Sequence, residues 1–343
     1  MDLAFVGSLH RGDLDMKQEL ADIIDEIQGR NILVIGDMVA DIYLDGRISR
    51  ISREAPVLVL QQAGEKVVAG GAANVVNNVA TLGGNVYAVG LLGLDSAAKG
   101  LKAALEKNGA HTDGLFCDEK RPTISKTRVI AGGRATVSQQ IVRIDKESDK
   151  PMQKAHESQI SQYIKALLPK IDGVVLSDYG SGTITEKLQQ QIISYCREHN
   201  IPSMVDSRYD IHRFKGIGYV KQNDAELAAA VGRELPDDES IFTAGQELLE
   251  ELSADGVLVT RGEKGMVLLE KDGAIHDIPV SDKSEVFDVS GAGDTCVSTV
   301  ILALAAGIEP VRAAELSNIA SGIAVRKLGT ATVSAEELRR GLR

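Results

Sequence analysis

Asp288-Val289-Ser290-Gly291-Ala292-Gly293-Asp294 is the stretch that decides the fold of this sequence, and an apolar run typical of a helix follows it at 296–306. Small residues let backbone N–H groups approach a ligand, and the open N-terminus of a helix favours an anion. We therefore expect the N–H groups of Gly291, Ala292 and Gly293 to form a cradle suited to a phosphoryl group. Asp294 lies at its mouth, where a carboxylate can accept the proton of an attacking hydroxyl. The alternative interpretation is a glycine-rich loop with an Asp as helix N-cap.

A second glycine cluster, Gly70-Gly71, opens a predicted helix that extends to Leu82. Glycines there again allow close ligand approach, and the Asn74 side chain offers a donor and an acceptor to sugar hydroxyls. The alternative is a tight contact between a helix and a strand, for which glycine is equally suited. The sequence has no G-x-x-x-x-G-K-[ST], which excludes a P-loop, and no G-x-G-x-x-G after its first strand, which argues against a dinucleotide-binding fold.

Apolar runs that end in a polar residue recur along the chain and alternate with helix-like stretches such as 96–108 and 156–168. This alternation predicts an α/β fold with a doubly wound, mostly parallel sheet. Ligands bind at the carboxyl ends of strands in such sheets, so the polar residues there are candidates for a site. The predicted strands are 31–37, 86–90, 173–178, 202–206 and 256–260, and the polar ends include Asp37, Asp178, Asp206 and Thr260.

Two segments, about 42–66 and 122–145, alternate in strand fashion with no helix nearby. They predict a small β-sheet that serves as a lid or as a dimer contact. Residues 14–29 show the apolar stripe of an amphipathic helix. We therefore expect an N-terminal helical extension at 1–30 and one domain at 31–343 that carries the lid.

Composition limits the class of protein. The chain has 343 residues, 43% hydrophobic, and a formal net charge of -11, which argues against a general nucleic-acid binder. Three scattered Cys form neither a disulfide framework nor a zinc pattern, and the six His show no ligand spacing. Neither a signal peptide nor an apolar run of membrane-spanning length is visible, so a cytoplasmic location without membrane contact is expected.

The two glycine clusters, in this order and at this separation, resemble the two signatures of the ribokinase-like (PfkB) carbohydrate kinases. Asn223-Asp224-Ala225-Glu226 is similar to the family's N-x-x-E motif, and residues 260–265 are similar to its T-x-G-x-x-G loop. The resemblance implies ATP and Mg²⁺ as cofactors, with a monovalent cation as a further candidate, and Glu226 ordering the Mg²⁺ water shell. The residues it implies for the nucleotide are Asn223, Asp224, Glu226, Thr260, Gly262, Gly265 and Asn318.

Further segments, among them 49–56, 176–179 and 327–334, resemble the heptose 7-phosphate kinases, which act in ADP-heptose synthesis for lipopolysaccharide. The resemblance implies that ATP phosphorylates the anomeric hydroxyl of D-glycero-D-manno-heptose 7-phosphate to the 1,7-bisphosphate. A homodimer through the lid is expected, since related kinases pair in that way. The residues implied for the sugar phosphate are Asp37, Asp41, Arg50, Gly70, Gly71, Asn74, Lys126 and Asp178, with Arg50 and Lys126 near the 7-phosphate.

Three departures from the heptose kinase pattern lie near the expected phosphate path: Ser181 replaces a Lys, Ser207-Arg208 replaces Pro-Lys, and Lys221-Gln222 replaces Thr-Pro. A kinase for another sugar or sugar phosphate is therefore the first alternative. A sugar or nucleotide sensor on the same fold is the second, although a sensor would not need the base Asp294. Because the chain ends soon after Val333, any nucleotidyltransferase activity is expected on another polypeptide.

Overall fold

A computed structural model describes residues 16–132, 138–148, 150–280 and 286–342. Its largest element is a nine-stranded sheet, flanked by helices on both faces, and a four-stranded sheet lies beside it. The strands are β1 (Asn31–Gly36), β2 (Met38–Ile51), β3 (Leu58–Gly71), β4 (Asn85–Gly93), β5 (His111–Asp118), β6 (Ser125–Gly132), β7 (Gln139–Lys146), β8 (Gly173–Asp178), β9 (Ser203–Ser207), β10 (Tyr219–Asn223), β11 (Gly256–Thr260), β12 (Met266–Glu270) and β13 (Ile275–Ile278).

The helices begin with α1, which spans 16–26 in the described part of the chain. The others are α2 (Ala72–Thr81), α3 (Ser96–Lys107), α4 (Lys154–Leu167), α5 (Glu186–His199), α6 (Asp224–Val231), α7 (Asp238–Leu252), α8 (Ala292–Ala305), α9 (Pro310–Ala324) and α10 (Ala335–Gly341). Three short 3₁₀ helices span Leu168–Lys170, Ile211–Arg213 and Gly262–Lys264. None of the helices within the described ranges combines the length and the apolar character that crossing a bilayer requires.

The large sheet has the order β13-β12-β11-β10-β9-β8-β1-β4-β5. The strands from β11 to β5 are parallel, and β12 and β13 add an antiparallel edge. Both faces are covered, as a parallel sheet requires. In β1, Ile32 and Val34 join one core cluster, whereas Leu33 and Ile35 join the other, because side chains alternate between the two faces of a strand. The predicted doubly wound α/β fold is confirmed, and the predicted strands match to within a few residues.

The helix α1 packs into one of these cores. Its apolar residues Leu20, Ile23 and Ile24 are buried together with Ile27, which lies just beyond the helix. Burial of four large aliphatic side chains stabilises the fold by roughly 1.5–3 kcal/mol for each side chain. The helix is shorter than the predicted 14–29 stretch at its C-terminal end, and residues 1–15 of the predicted extension lie outside the described residues.

The small sheet has the order β3-β2-β6-β7, with β2 and β6 parallel and the outer pairs antiparallel. Its four strands cover most of the two segments for which a lid was predicted. Residues 133–137 of the second segment lie outside the described part of the chain. The sheet leaves an unusual set of large apolar side chains exposed. These are Ile48, Ile51, Leu58, Val142 and Ile144.

Candidate active site

The turn before α8 is built around Gly291, which is the N-cap of the helix and has φ +81°. This left-handed conformation favours glycine, and a Cβ there would lie 2.8 Å from Asn74 Nδ2. The Asp288 carboxylate closes the turn by accepting from the N–H groups of Ser290 and Gly329, each at 2.9 Å. The alternative of an Asp N-cap is therefore wrong, because Gly291 takes that position and no side chain caps the helix. Among the first N–H groups of α8, that of Ala292 donates to the Val289 carbonyl at 3.3 Å, and no side chain caps the helix, so its start is accessible to an anion.

Asp294 lies in the first turn of α8 and is only 6% exposed. Its Oδ2 accepts a hydrogen bond from Asn74 Nδ2 at 2.7 Å, and its Oδ1 accepts one from the Tyr179 hydroxyl at 3.2 Å. Burial raises the pKa of the Asp294 carboxyl to about 6, an effect that Asp206 reinforces and that the two hydrogen bonds and Lys221 oppose. A carboxylate with this pKa is suited to act as a general base at neutral pH.

Lys221 in β10 brings a buried positive charge to the same turn. Its side chain is 6% exposed, and its Nζ lies 2.9 Å from the position that a Cβ on Gly293 would take. The ammonium is 3.3 Å from both carboxylate oxygens of Asp206 and 3.6 Å from Glu226 Oε2. Burial alone would lower the pKa of Lys221, but the two carboxylates raise it, so the side chain stays a cation. Lys221 and Tyr179 were not predicted as site residues. A lysine inside a buried strand, at the carboxyl edge of the sheet, is the signal that could have identified Lys221.

The N-x-x-E segment forms a capping box at the start of α6. Asn223 Oδ1 accepts from the Glu226 N–H at 2.7 Å, and Glu226 Oε2 accepts from the Asn223 N–H at 2.8 Å. The second oxygen, Glu226 Oε1, lies 4.0 Å from Arg208 Nε. Arg208 in turn lies over the Tyr179 ring, 4.7 Å from its centroid. The side chains that order the helix start therefore also face the turn before α8.

One large cleft, with a volume of about 1130 Å³, runs along this edge of the sheet. It brings together all four residues predicted for catalysis and all seven predicted for the nucleotide, although they come from four separate segments. In the same cleft, the Asn318 side chain donates to the Pro279 carbonyl at 2.7 Å. The eight residues predicted for the sugar phosphate are all described, and none of them lines this cleft. The predicted catalytic and nucleotide residues that line the cleft are Asn223, Asp224, Glu226, Thr260, Gly262, Gly265, Gly291, Ala292, Gly293, Asp294 and Asn318.

The structure does not support the prediction that Asp37 binds a sugar hydroxyl. Its side chain is fully buried, and its carboxylate accepts hydrogen bonds from the backbone N–H groups of Tyr179, Ser181 and Thr183 at 2.9 to 3.2 Å. A fully buried carboxylate that accepts from three backbone donors is not accessible to a sugar hydroxyl in this structure. Asp37 instead holds the loop after β8 in place.

Asp178 and Asn74, which were also predicted for the sugar, are likewise buried. The Asp178 carboxylate is buried and accepts from the Ser207 hydroxyl at 2.9 Å, while Arg213 lies 2.9 Å from the same oxygen. The Asn74 side chain is fully buried and donates to Asp294. Both side chains therefore contact other protein groups in this structure, and their contact with the sugar stays a prediction.

Gly70 and Gly71 lie where β3 meets α2, and a Cβ on either would clash. At Gly70 it would lie 2.6 Å from Asp41 Oδ2, and at Gly71, which has φ +55°, it would lie 2.8 Å from the Asp37 carbonyl oxygen. Both contacts are with β2 or with the residue just before it, so close packing between β3 and β2 accounts for both glycines rather than the predicted helix–strand contact. That Gly70 and Gly71 also allow close approach of a ligand stays a prediction.

The cationic residues predicted for the phosphate of the substrate lie on the small sheet. Arg50 is exposed near the end of β2, and Lys126 is half-buried in β6 directly opposite Asp41. Asp41 is buried and pairs with Arg128, whose Nη1 donates to it at 2.6 Å. Arg128 also lies over the Tyr43 ring. The neutralised Asp41 is thus a structural partner of Arg128 at the base of the lid.

Comparison with known proteins agrees with this geometry. Residues 30–338 match the model of the pfkB family carbohydrate kinases. The chain is 40% identical, over 90% of its length, to the bifunctional protein HldE of Mesorhizobium japonicum, and 40% identical, over 94%, to that of Pelobacter propionicus. It spans 61% and 65% of the length of these two relatives.

Solved structures show the same fold at low identity. A ribokinase from Arabidopsis thaliana complexed with ribose and ATP has a TM-score of 0.69 and 18% identity, covering 92% of this chain and 99% of that chain. Phosphofructokinase-2 from Escherichia coli in complex with potassium has a TM-score of 0.70 and 19% identity, covering 92% and 98%. The family model covers most of the chain, and the cleft holds an aspartate at the mouth of an anion cradle. The chain therefore belongs to the pfkB family of carbohydrate kinases, phosphotransferases with an alcohol group as acceptor.

Proposed function

We propose that this protein phosphorylates the anomeric hydroxyl of D-glycero-D-manno-heptose 7-phosphate with ATP, to give the 1,7-bisphosphate, a precursor in ADP-heptose synthesis for lipopolysaccharide. The observation that carries the proposal of a kinase is Asp294, buried at the mouth of the open N-terminus of α8 and held there by Asn74 and Tyr179. The choice of sugar is supported by the 40% identity to the HldE proteins and by the resemblance of residues 49–56 and 327–334 to heptose kinases.

In the proposed reaction, Asp294 accepts the proton of the attacking hydroxyl, since its carboxylate is ionised at neutral pH and one side of it faces the cleft. The N–H groups of Gly291, Ala292 and Gly293 hold the oxygens of the transferring phosphoryl group. Lys221 lies beside Gly293 and compensates part of the negative charge on that group. The wide cleft takes ATP across the loops that contain Asn223 and Gly262.

Mg²⁺ fits this site as an ion that keeps most of its water shell. No group of three or more His, Cys, Asp or Glu residues that could hold a metal occurs within the ranges that the structure describes. Mg²⁺ in kinase sites is commonly held by phosphates and waters with few carboxylates. Glu226 faces the cleft and would order that water shell, and the ion would neutralise charge on the nucleotide.

The test of the substrate is a kinase assay with both anomers of heptose 7-phosphate, followed by identification of the product by NMR and mass spectrometry. ATP consumption that depends on one anomer, with phosphate found on the anomeric oxygen, is the expected result. Ribose, fructose and fructose 6-phosphate serve as comparison substrates. Turnover of one of these sugars, with none of heptose 7-phosphate, would reject the proposed substrate while retaining the kinase.

A kinase for a different sugar phosphate is the second candidate, and the departures from the heptose pattern favour it. Arg208 and Lys221 both face the cleft, and Arg208 lies over the Tyr179 ring. Arg208 stands where the heptose kinases carry a Lys, and the two are not interchangeable in geometry, while Lys221 adds a charge where they carry an uncharged Thr. A non-catalytic sensor, in contrast, gives no reason for a buried carboxylate with a raised pKa.

The activity should depend on pH with a lower limit near 6. The pKa of Asp294 is raised to about 6, and only the ionised carboxylate can accept a proton. We therefore expect kcat/KM to be level above about pH 7 and to fall about tenfold for each pH unit below the pKa. The measurement is kcat/KM from pH 5 to 8.5, with a coupling system checked at each pH. A level profile down to pH 5 would contradict the role of Asp294 as the base.

We also propose that two copies pair through the four-stranded sheet. Ile48, Ile51, Val142 and Ile144 are exposed there, and large exposed apolar patches mark interaction surfaces. The expected species is a dimer of twice the 36.6 kDa chain mass. Light scattering after gel filtration should show monomers when Ile51→Asp and Ile144→Asp are combined, and dimers for the control Ile275→Asp, which changes an exposed residue of β13. Dimers in both variants would place the interface elsewhere.

A further inference from the structure

Tyr179 is the second hydrogen-bond partner of Asp294, and it belongs to neither glycine signature. It lies in the loop after β8, where its backbone N–H donates to Asp37 Oδ2 at 2.9 Å. The N–H groups of Ser181 and Thr183 donate to the same carboxylate. The loop is therefore held by its backbone, and the Tyr179 side chain is free to serve another purpose.

Tyr179 lines the cleft, and its side chain has contacts both at the hydroxyl and on the face of the ring. Its hydroxyl lies 3.2 Å from Asp294 Oδ1, and the Arg208 guanidinium lies over its face, 4.7 Å from the ring centroid. Arg208 is itself anchored, because its backbone N–H donates to the Asp178 carbonyl at 3.3 Å. A stacked cation and a fixed backbone limit the positions that the hydroxyl can take.

We infer that Tyr179 is a positioning residue: its hydroxyl orients the Asp294 carboxylate, favours the ionised form for proton removal and thereby shifts the lower pH limit of activity. This inference rests on the proposed function, in which Asp294 is the base. A hydrogen bond donated to the ionised form of a carboxyl favours that form. The 2.7 Å bond from Asn74 holds Oδ2, so Tyr179 acts on the other oxygen.

The other groups that face Asp294 come from three elements and do not replace Tyr179. Asn74 in α2 donates to the carboxylate, Lys221 in β10 stabilises its charge, and Asp206 in β9 opposes that charge. Arg208, which follows β9, adds a more distant cation. Lys221 also pairs with Asp206 and Glu226, and its charge lowers the pKa of Asp294 more than the Tyr179 hydrogen bond does.

The phenol remains a donor throughout the working pH range. Burial and the neighbouring Asp294 charge raise the pKa of Tyr179 well above its ordinary value. Its proton is therefore present at every pH at which Asp294 changes charge, and the hydrogen bond has a fixed direction from Tyr179 to Asp294.

The experiment titrates Asp294 directly in Tyr179→Phe, which removes one oxygen and keeps the ring. Carboxyl signals of protein labelled with ¹³C-aspartate are followed from pH 4 to 8.5, and Asp294→Asn assigns the Asp294 signal. We expect its midpoint to move upward by about one pH unit, since a hydrogen bond to a charged group is of that strength. The acidic limit of kcat/KM should move by the same amount. In the control Tyr209→Phe, which changes a tyrosine that is 76% exposed, neither should move.

A second variant covers the case in which Tyr179→Phe does not fold. Replacement of Tyr179 by 3-fluorotyrosine keeps the shape and makes the phenol a stronger donor, so the Asp294 midpoint should move downward. An unchanged Asp294 midpoint in the folded Phe variant, or in the fluorotyrosine variant, would overturn the inference. The titration needs no substrate. A shifted midpoint in a protein that phosphorylates no sugar would therefore reject the proposed function and leave the Tyr179–Asp294 contact standing.

Discussion

Asp294→Asn is expected to lower kcat by two or more orders of magnitude while ATP binding is retained, because the amide cannot accept the proton of the attacking hydroxyl. General acid–base groups typically contribute about 10²–10⁴ to the rate. The matched control is Asp272→Asn, which changes an exposed aspartate in the turn between β12 and β13 and should keep the wild-type rate. Sugar-dependent ATP consumption measures kcat, and calorimetry measures ATP affinity.

The same substitution should not destabilise the fold. The folded-state pKa of Asp294 is raised to about 6, so the folded protein binds this proton more tightly than the unfolded chain does. The stabilisation from that proton is fully present below the ordinary pKa of an aspartate and is lost as the pH rises through about 6. At pH 7 the buried, ionised carboxylate therefore lowers the free energy of unfolding, and the uncharged Asn side chain removes this effect. A thermal midpoint at or above that of the wild type is expected at pH 7. Near wild-type kcat in a folded variant would reject Asp294 as the base.

Lys221→Met is expected to reduce both the stability and the activity. Removing the ammonium leaves the buried Asp206 carboxylate without its partner, and breaking a buried ion pair in this way costs about 3–5 kcal/mol. Loss of the positive charge beside Gly293 should also reduce kcat by about 10²-fold, as the loss of one electrostatic group in an active site commonly does. Urea unfolding and kcat at saturating ATP are the two measurements.

A double variant separates the two effects. In Asp206→Asn combined with Lys221→Met, both charges of the buried Lys221–Asp206 pair are removed, so much of the lost free energy of unfolding should return, although Glu226 and Asp294 still lose the Lys221 charge. The activity should remain low, because the cation beside the phosphoryl cradle is still missing. Asp206→Asn alone serves as the control for the loss of the carboxylate. Recovery of both stability and kcat in the double variant would show that Lys221 only stabilises the fold.

The sequence predicted the fold well because its signals are local. Strand-like runs such as 173–178 and 256–260 are buried on both faces and therefore apolar throughout, and helices alternate with them. The turn at 291–294 was also recognisable, since its glycines and Asp294 stand together at the start of an apolar helix, where an anion is favoured. The antiparallel strands β12 and β13 were not predicted, because short edge strands leave little periodicity to detect.

The sugar side of the site was predicted less well, and Asp37 and Asp178 show why. Both are aspartates at the carboxyl ends of parallel strands, which is where ligand-binding residues are expected. Asp37 is buried and accepts from three backbone N–H groups of the loop after β8, and Asp178 is buried with Ser207 and Arg213 on one of its oxygens. Apart from the Gly180 N–H, which donates to Asp178, these donors come from distant segments, so the sequence around each aspartate carries little sign of them.

By itself the sequence determined that the chain folds as a ribokinase-like α/β domain and that Asp294 stands at an open helix N-terminus, because spacing and residue size within short segments decide both. The tertiary structure alone decided which groups surround that carboxylate. Asn74 lies 220 positions from Asp294 and Tyr179 lies 115 positions from it, and each reaches it only through the order of the strands and helices in the sheet. Lys221 meets Gly293 for the same reason. Contacts between strand ends depend on the strand order, which no local pattern encodes.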